Sequence, residues 1–157
     1  MNEIEQLLAR EQIRNQLSVY CRGIDRRDWD MVRACFADEH NHKHPPFEGT
    51  LDEFIGFAST VLKTVAVSHH SIANVIVELA EDGLSASSQC NFTALHLIEA
   101  GQGGALSFDT GGGDTDWLVG GSYADEWIYR DGQWLICGRQ AAHHWERIEP
   151  ATKKLTT

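Results

Sequence analysis

The chain has 157 residues, of which 42% are hydrophobic and 23% are charged, a composition typical of one globular domain. It carries 13 Lys and Arg against 23 Asp and Glu, so its formal net charge is −10. This acidic balance argues against binding to nucleic acid or to an anionic membrane, because both require a cationic face. The sequence contains neither an apolar run of the ~20 residues that span a bilayer nor a signal-peptide pattern, so we expect a cytoplasmic protein.

The first third of the chain has the periodicity of amphipathic helices. Apolar residues recur at steps of three and four over residues 4–24, which predicts one helix or a helix pair. Asp28 is placed to cap a second, short helix, WDMVRACF. A polar segment follows, HNHKHPPFEG, whose two prolines exclude a continuing helix. Thr50 and Glu53 form a capping-box pattern that predicts a third helix ending near Leu62.

From Val65 onward the period of the apolar residues changes from 3.6 to 2, which predicts strands. We expect a polar, glycine-rich loop over residues 101–116 and hairpin turns over residues 80–83 and 130–133. The predicted strands cover residues 65–79, 84–99, 118–129 and 134–145. Helices followed by antiparallel strands indicate an α+β fold: a single domain over residues 1–147, in which N-terminal helices pack in a strongly curved, mostly antiparallel sheet and leave one deep pocket. Residues 148–157 are expected to form a polar tail.

Three polar groups are candidates for the lining of such a pocket. Tyr20 precedes Asp25 by five residues at the end of the first helical run, and Arg139 lies in the last strand. His69 and His70 lie near the start of the first strand, where period 2 sends them to opposite faces. A neutral histidine held by a carboxylate is a competent general base, and an arginine or tyrosine can stabilise a developing anion.

Each of these residues also has a structural interpretation that the sequence leaves open. Asp25 could be a turn or capping residue, Tyr20 a core aromatic, and Arg139 a surface charge on a strand. The apolar phase of the first strand includes His69 and not His70, so His70 can face the pocket only if a bulge shifts the phase or if both sheet faces are covered.

Two further histidine groups deserve separate interpretation. His40, His42 and His44 alternate, so a strand would present all three on one face at ligand-like spacing. No carboxylate alternates with them, and we favour a solvated, pH-sensitive patch over a metal site; no metal or cofactor is predicted. His143 and His144, near the end of the last strand, could line the pocket mouth or a subunit contact.

Three stretches of the chain resemble the signature regions of SnoaL-like proteins, which belong to the nuclear transport factor 2-like, or cystatin-like, superfamily. The stretches are YCRGIDRRDWDMVRACFADE, SHHSIANVIVELAEDGLSA and GGSYADEWIYRDGQWLICGRQ. The resemblance covers roughly residues 5–147 and implies a cone-shaped α+β barrel. Members include scytalone dehydratase, bile acid 7α-dehydratase, hexachlorocyclohexane dehydrochlorinase, polyketide cyclases and limonene epoxide hydrolase. Small subunits of ring-hydroxylating dioxygenases share the fold without catalysing a reaction.

The motifs are most similar to those of the elimination enzymes. In these enzymes an aspartate at the end of the first long helix pairs with a histidine on the first long strand. The resemblance places Asp25 and His70 at these positions, with His70 four residues before Asn74 as in the family's H-x-x-x-N/T spacing. Tyr20 corresponds to a pocket tyrosine of the bile acid enzyme, and Arg139 to an arginine of the dehydrochlorinase.

The resemblance implies a cofactor-independent lyase or isomerase that abstracts a proton with His70, oriented by Asp25, and eliminates water or another leaving group. Tyr20 would act on the leaving oxygen and Arg139 would stabilise negative charge or position the substrate. The alternatives are a non-catalytic ligand-binding or assembly module, and a cyclase or epoxide hydrolase. Apolar residues in both phases of the later strands also predict a homodimer or homotrimer that associates through the outer sheet face. The predicted substrate-binding residues, chosen for their aromatic character, are Trp29, Phe54, Phe57, Trp117, Tyr123, Trp127 and His143.

Overall fold

The computed structural model describes residues 1–44, 47–101 and 112–151, with side chains except at positions 39–41 and 44. Most of the predicted loop over residues 101–116, and the tail beyond residue 151, therefore lie outside the described residues. The described part contains helices and strands in α+β order. Their bounds are α1 Glu3–Arg26, α2 Trp29–Arg33, β1 Phe36–His44, β2 Phe47–Gly49, α3 Leu51–Leu62, β3 Val65–Leu79, β4 Ser85–Ile98, β5 Thr115–Arg130 and β6 Gln133–Pro150.

The predicted helix starts are present as hydrogen-bonded caps. Thr50 and Glu53 make both hydrogen bonds of a capping box at the start of α3. The side chain of Asp28 accepts a hydrogen bond from the backbone N–H of Met31 and so caps α2. The first helical run is one continuous helix, α1, rather than a helix pair, and its buried residues recur at steps of three and four.

The described strands form one curved, open sheet in the order β2-β1-β6-β5-β4-β3. Strands β3 to β6 are joined as an antiparallel meander, and β1 pairs in parallel with β6 and antiparallel with β2. The polar histidine-rich segment, which carried no strand prediction, thus supplies β1. The last strand is longer than predicted: it was expected to end near residue 145, but β6 continues to Pro150, which pairs with Thr115. This architecture is the expected α+β cone.

Helix α1 packs against β3 and covers the core with one face. Because β3 is the last strand in the sheet order, its outer edge has backbone groups that no neighbouring strand can pair. The end of α1 lies against this edge, and this placement brings helix side chains to the backbone of β3. The candidate site is built at this contact.

The apolar residues from which an exposed apolar outer sheet face was predicted are mainly buried within the monomer. Leu97, Ile98 and Trp127 are all buried. The outward positions of β4 are polar instead, at Gln89 and Thr93 among others. Other large apolar side chains, Ile76, Trp145 and Ile148, are nevertheless exposed on β3 and β6. Self-association through the sheet therefore remains a prediction. Within the described ranges, no helix is both long enough and apolar enough to cross a membrane.

Candidate active site

The end of α1 fixes the position of Asp25. The helix terminates at Arg27, whose backbone adopts the left-handed conformation with φ of 56°. The side chain of Arg27 then donates hydrogen bonds to the backbone carbonyls of Leu62 and Val65, at the end of α3 and the start of β3. Asp25, two residues before this anchor, is thereby held against the edge of β3.

The carboxylate of Asp25 accepts three hydrogen bonds from β3. The backbone N–H of His70 donates to Oδ2 at 2.9 Å, and the hydroxyl of Ser68 donates to Oδ1 at 2.9 Å. The Nδ1 atom of the His70 ring lies 2.7 Å from Oδ1. One carboxylate thus caps an edge N–H of the sheet and orients the imidazole at the same time.

The two faces of β3 are exchanged by a bulge at Asn74, and this explains why His70 rather than His69 meets Asp25. Asn74 has a φ of 55°, and the pairing of β3 with β4 shifts between Ala73 and Ile76. From Ala66 to Ile72 the inward residues are even-numbered, and after the bulge they are odd-numbered. The structure therefore places His70 on the inner face and leaves His69 exposed on the outer one.

Asp25 is ionised in this setting. Its partial burial opposes ionisation, but the hydrogen bonds from the side chain and backbone of His70, followed by that from Ser68, outweigh this effect and lower the pKa of the carboxyl group. A carboxylate can only accept hydrogen bonds, so the short contact places the proton of a neutral His70 ring on Nδ1. The lone pair of that ring is then on Nε2, away from Asp25.

The dyad borders a cleft between α1 and β3 with a volume of about 300 Å³. The helix contributes polar side chains to its wall, Ser18 and Arg22 among them, and β3 contributes His70 and Ile72. This volume is at the small end of the range of ligand sites in proteins. Small molecules can therefore approach His70 from this side.

His96 is a site residue that the sequence analysis missed. Its ring lies edge-on to His70, with 5.4 Å between the ring centroids, and 5.0 Å from the ring of Trp117. Burial, with a further contribution from His70 when that ring is protonated, lowers the pKa of His96 to about 3, so its imidazole is neutral at physiological pH. Its Nδ1 atom is buried and has no hydrogen-bond partner within the described part of the chain. The period-2 pattern of β4 could have found it, because His96 shares the inward phase with Phe92 and Ala94.

Small residues on the neighbouring strands allow aromatic rings to pack near the dyad. Ala94 lies opposite His70 in the pairing of β3 with β4, and Gly121 lies on the inner face of β5. A Cβ atom at Gly121 would approach the ring of Phe92 to 2.7 Å, so glycine is needed for the packing of that ring. Phe92 in turn stacks on Tyr123 and makes an edge contact with His143. Among the predicted substrate-binding residues, Trp117, Tyr123 and His143 thus belong to the aromatic surroundings of the dyad.

The other four predicted substrate-binding residues pack elsewhere. Trp127 is buried and donates from Nε1 to the hydroxyl of Ser88. Phe54 stacks on His42 and Phe57 stacks on Phe47, in an aromatic cluster beside β1 and β2 at the opposite edge of the sheet. The remaining one, Trp29, packs partly buried against the core. Their aromatic character reflects core packing, and composition alone does not separate the two uses.

Arg139 and Tyr20 lie in the core rather than on the cleft wall. The guanidinium of Arg139 forms a bidentate ion pair with Asp125, with two N···O distances of 2.7 Å, and neither side chain is exposed. The rings of Tyr20 and Tyr123, which are nearly perpendicular to each other, both contact this guanidinium, with its Cζ atom 4.1 Å and 4.3 Å from their centroids. Burial raises the pKa of Tyr20 to about 12, although the charge of Arg139 opposes the rise. In the structure the guanidinium of Arg139 is engaged with Tyr20 and Asp125, and a direct contact of Arg139 or Tyr20 with a substrate remains a prediction.

The histidine cluster of β1 does not form the predicted solvated patch at its central residue. His42 is fully buried, and its ring is stacked on Phe54 at a centroid distance of 3.7 Å. The side chains of His40 and His44 lie outside those described. The described residues contain no group of three or more metal-ligating side chains placed to hold a metal ion. His144, whose Nε2 lies 3.3 Å from the hydroxyl of Ser122, is exposed.

The fold has close structural counterparts at low sequence identity. A putative scytalone dehydratase from Novosphingobium aromaticivorans superposes with a TM-score of 0.78 and 16% identity, covering 96% of this chain and 94% of that one. The hexachlorocyclohexane dehydrochlorinase LinA-type3 from Novosphingobium barchaimii superposes with a TM-score of 0.79 and 13% identity, covering 99% of this chain and 100% of that one. A protein of unknown function with a cystatin-like fold from Nostoc punctiforme superposes with a TM-score of 0.66 and 14% identity, covering 92% of this chain and 94% of that one. At these identities the likeness establishes the fold alone.

The helices, the curved open sheet and these counterparts define an α+β cone of the cystatin-like class. The sequence model of the SnoaL-like domain matches residues 5–140, nearly the whole chain. The protein therefore belongs to the SnoaL-like family. No functionally curated protein matches the chain in sequence.

Proposed function

We propose that this protein is a cofactor-independent lyase or isomerase that abstracts a proton from a small, partly apolar or ring-containing molecule. The hydrogen bond between His70 Nδ1 and Asp25 Oδ1 is the observation that carries the proposal. It directs the lone pair of the neutral imidazole to Nε2, which is the arrangement of a general base. Structural counterparts whose names describe elimination enzymes, a scytalone dehydratase and a dehydrochlorinase, favour loss of water or another leaving group after proton abstraction.

In the proposed reaction Nε2 of His70 takes a proton from the carbon next to an activating group. The imidazolium that forms is stabilised by Asp25, which stays ionised because its pKa is lowered. In an elimination, the electron pair left on carbon then forms a double bond as the leaving group departs. In an isomerisation, the pair shifts to form a new double bond, and His70 returns the proton to another carbon. The carboxylate is fixed by Ser68 and by the backbone of β3, so little reorganisation accompanies the change in charge.

His96 is the group best placed to act on the substrate beside this base. A neutral imidazole can polarise a carbonyl or hydroxyl oxygen by hydrogen bonding without giving up its proton. The unpartnered Nδ1 of His96 is buried next to the His70 ring, so such a contact requires the substrate to reach past the cleft lining. Trp117 packs against His96 and His143 against Phe92, so both lie next to this pair but outside the residues that line the cleft.

Tyr20 and Arg139 act as positioning residues in this proposal. Tyr20 and Asp25 project from the same helix, and the ion pair of Arg139 with Asp125 links that helix to β5 and β6 through the tyrosine ring. Such a rigid cation–π stack fixes the rotation of α1 relative to the sheet. The distance between Asp25 and His70 depends on that rotation.

Proton abstraction can be tested without knowing the natural substrate. The purified protein is incubated in deuterated solvent with a panel of ring ketones and β-hydroxy carbonyl compounds, and deuterium incorporation or elimination is followed by mass spectrometry. We expect exchange above background for the wild type and a loss of about 10²–10⁴-fold in His70→Ala, the usual effect of removing a general base. His69→Ala is the matched control, because His69 lies next to His70 but faces away from the dyad.

The rival function is a non-catalytic binding module on the same fold. Binding of panel compounds with no exchange above background would favour it over the enzyme. Exchange that persists undiminished in folded His70→Ala would exclude His70 as the base, and equal losses in His69→Ala and His70→Ala would attribute the effect to damage of β3.

A further inference from the structure

The first two turns of α1 expose large apolar side chains. Ile4, Leu7 and Leu8 are 70%, 64% and 56% exposed, the three highest values among the apolar residues of this helix. We refer to these three residues as the N-terminal patch. Single exposed apolar residues are common on protein surfaces, but three adjacent ones on one helix are typical of an interaction site.

The N-terminal patch is not an extension of the core. The buried residues of α1 begin with Ala9 and Ile13, and at 100° per residue they lie on one side of the helix. The three patch residues project from the opposite side by the same helical geometry. The helix therefore has an apolar stripe toward the core along its length and a second, shorter one toward solvent at its start.

Apolar surface continues from the helix to the neighbouring hairpin. The side chain of Met1 lies against Gly83: a Cβ atom built on Gly83 would be 2.8 Å from the Cγ atom of Met1. The next residue, Leu84, is 57% exposed and is hydrogen-bonded through its backbone carbonyl to Tyr129. The apolar surface thus spans the start of α1 and the β3–β4 turn. His70 lies in the first half of β3, so this turn is at the other end of the strand from the dyad.

Charges flank the N-terminal patch in a self-complementary way. Glu3 and Arg10 are seven residues apart, so they lie on the same flank of α1 about two turns from each other. Their midpoint falls between Gln6 and Leu7, in the middle of the patch. An antiparallel pair of α1 helices related by a two-fold axis at this midpoint would bring Glu3 of one copy level with Arg10 of the other, twice over. Among the described contacts, neither residue forms an ion pair within its own chain.

We propose that the occupant of the N-terminal patch is a second copy of this chain, docked through an isologous, antiparallel contact between the two α1 helices. The apolar side chains supply the centre of the contact, and the two Glu3–Arg10 pairs at its rim fix the antiparallel orientation. This contact is separate from the sheet, on which Ile76 and Trp145 are also exposed. It leaves the cleft beside His70 open, because the patch lies at the other end of the molecule.

The test is the concentration dependence of the mass, measured by sedimentation velocity and light scattering up to about 0.5 mM, where even a weak specific dimer assembles. We expect a dimer for the wild type and a monomer for Leu7→Lys at the same concentrations. Ile76→Lys is the matched control: Ile76 is equally exposed, at 62%, but lies on β3, and its replacement should leave the dimer intact. Circular dichroism checks that each variant is folded.

A charge swap tests the orientation of the two helices. Glu3→Arg and Arg10→Glu should each weaken the dimer by about tenfold, because each creates two like-charge contacts, and the double variant should restore most of the loss. A wild type that stays monomeric at the highest concentration would overturn the proposal. So would a dimer that survives Leu7→Lys, or one that Ile76→Lys abolishes, which would return the interface to the sheet. Two weakened single variants with no recovery in the double variant would exclude the antiparallel pairing.

Discussion

The buried, neutral imidazole of His96 should make this protein sensitive to acid well above the pH at which carboxylates titrate. Burial lowers the pKa of His96 from 6.5 to about 3, so the folded protein leaves this ring uncharged across that interval. The unfolded chain exposes the ring and binds a proton below pH 6.5. In this window the unfolded state holds one more proton than the folded state, so the free energy of unfolding must fall as the pH falls.

The size of the effect at pH 5 depends little on the exact folded-state pKa. For a group with an unfolded pKa of 6.5 that stays neutral in the folded state, 1.5 pH units of titration remove about 2 kcal/mol between pH 7.5 and pH 5. The loss continues toward pH 3, where the folded state also takes up the proton. His143, whose pKa is also lowered by partial burial, adds a smaller loss of the same sign.

The variant His96→Gln isolates the contribution of His96. Glutamine cannot titrate and retains a polar group for the neighbourhood of His70. Urea denaturation of both proteins at pH 7.5 and pH 5 gives four free energies of unfolding. We expect the wild type to lose about 2 kcal/mol more than His96→Gln over this interval. Losses equal within about 0.5 kcal/mol would mean that His96 is protonated in the folded protein, and the assignment of a neutral imidazole beside His70 would be wrong.

Substitutions at three further places, the Asp125–Arg139 pair, Asn74 and Gly121, test the framework of the site by urea denaturation. Asp125→Ala strands the buried guanidinium of Arg139 and should cost about 3–5 kcal/mol, whereas the double replacement Asp125→Leu with Arg139→Met should recover much of this loss; additive losses would contradict the coupling. Asn74→Val places a branched side chain at a φ of 55° and should lower the free energy of unfolding by about 1–2 kcal/mol. Asn74→Gly should leave it unchanged within about 0.5 kcal/mol, and an equally stable Asn74→Val would argue against the bulge. Gly121→Ala puts a Cβ atom 2.0 Å from the carbonyl oxygen of Ala142 and should cost more than about 2 kcal/mol; wild-type stability would show that the strands can separate there.

The helices and the meander were predictable because their signals are local. A capping box such as Thr50 with Glu53 marks a helix start through hydrogen bonds between neighbours in sequence. The alternation along β4 likewise reports one buried face. Strand β1 was not predictable in this way, because its residues are polar and histidine-rich, and its parallel pairing with β6 joins segments nearly a hundred residues apart. Non-local pairing leaves no pattern within the segment itself.

The contact between Asp25 and His70 was predicted from the sequence, whereas the residues packed around it were not. The spacing that the chain shares with SnoaL-like proteins pointed to Asp25 and His70, although the alternation of β3 favoured His69. The bulge that resolves this conflict lies at Asn74, a residue type that tolerates a positive φ. The burial of Arg139 was not predicted because its partner Asp125 lies opposite it on the neighbouring strand, and a buried charge cannot be recognised in sequence without knowing the residue that neutralises it.

The geometry of Asp25 implies that its structural and chemical roles can be separated by two substitutions. Asp25→Ala removes the acceptor of the His70 backbone N–H as well as the partner of the ring, so the edge of β3 loses a cap and stability should fall by about 1–3 kcal/mol. Asp25→Asn keeps one oxygen acceptor for β3, but its second position carries an NH₂ group that donates. That group meets Nδ1 of His70 only if the ring moves its proton to Nε2, and Nε2 then has no lone pair with which to abstract a proton.

We therefore expect Asp25→Asn to retain more stability than Asp25→Ala in urea denaturation, while deuterium exchange falls in both by about 10²-fold or more. Ser68→Ala is the matched control, because it removes one donor to the carboxylate and leaves the partner of the His70 ring in place. If Asp25→Asn exchanged deuterium as fast as the wild type, the tautomer of His70 would not be set by this carboxylate. The hydrogen bond between Asp25 and His70 would then be an edge cap of the sheet and nothing more.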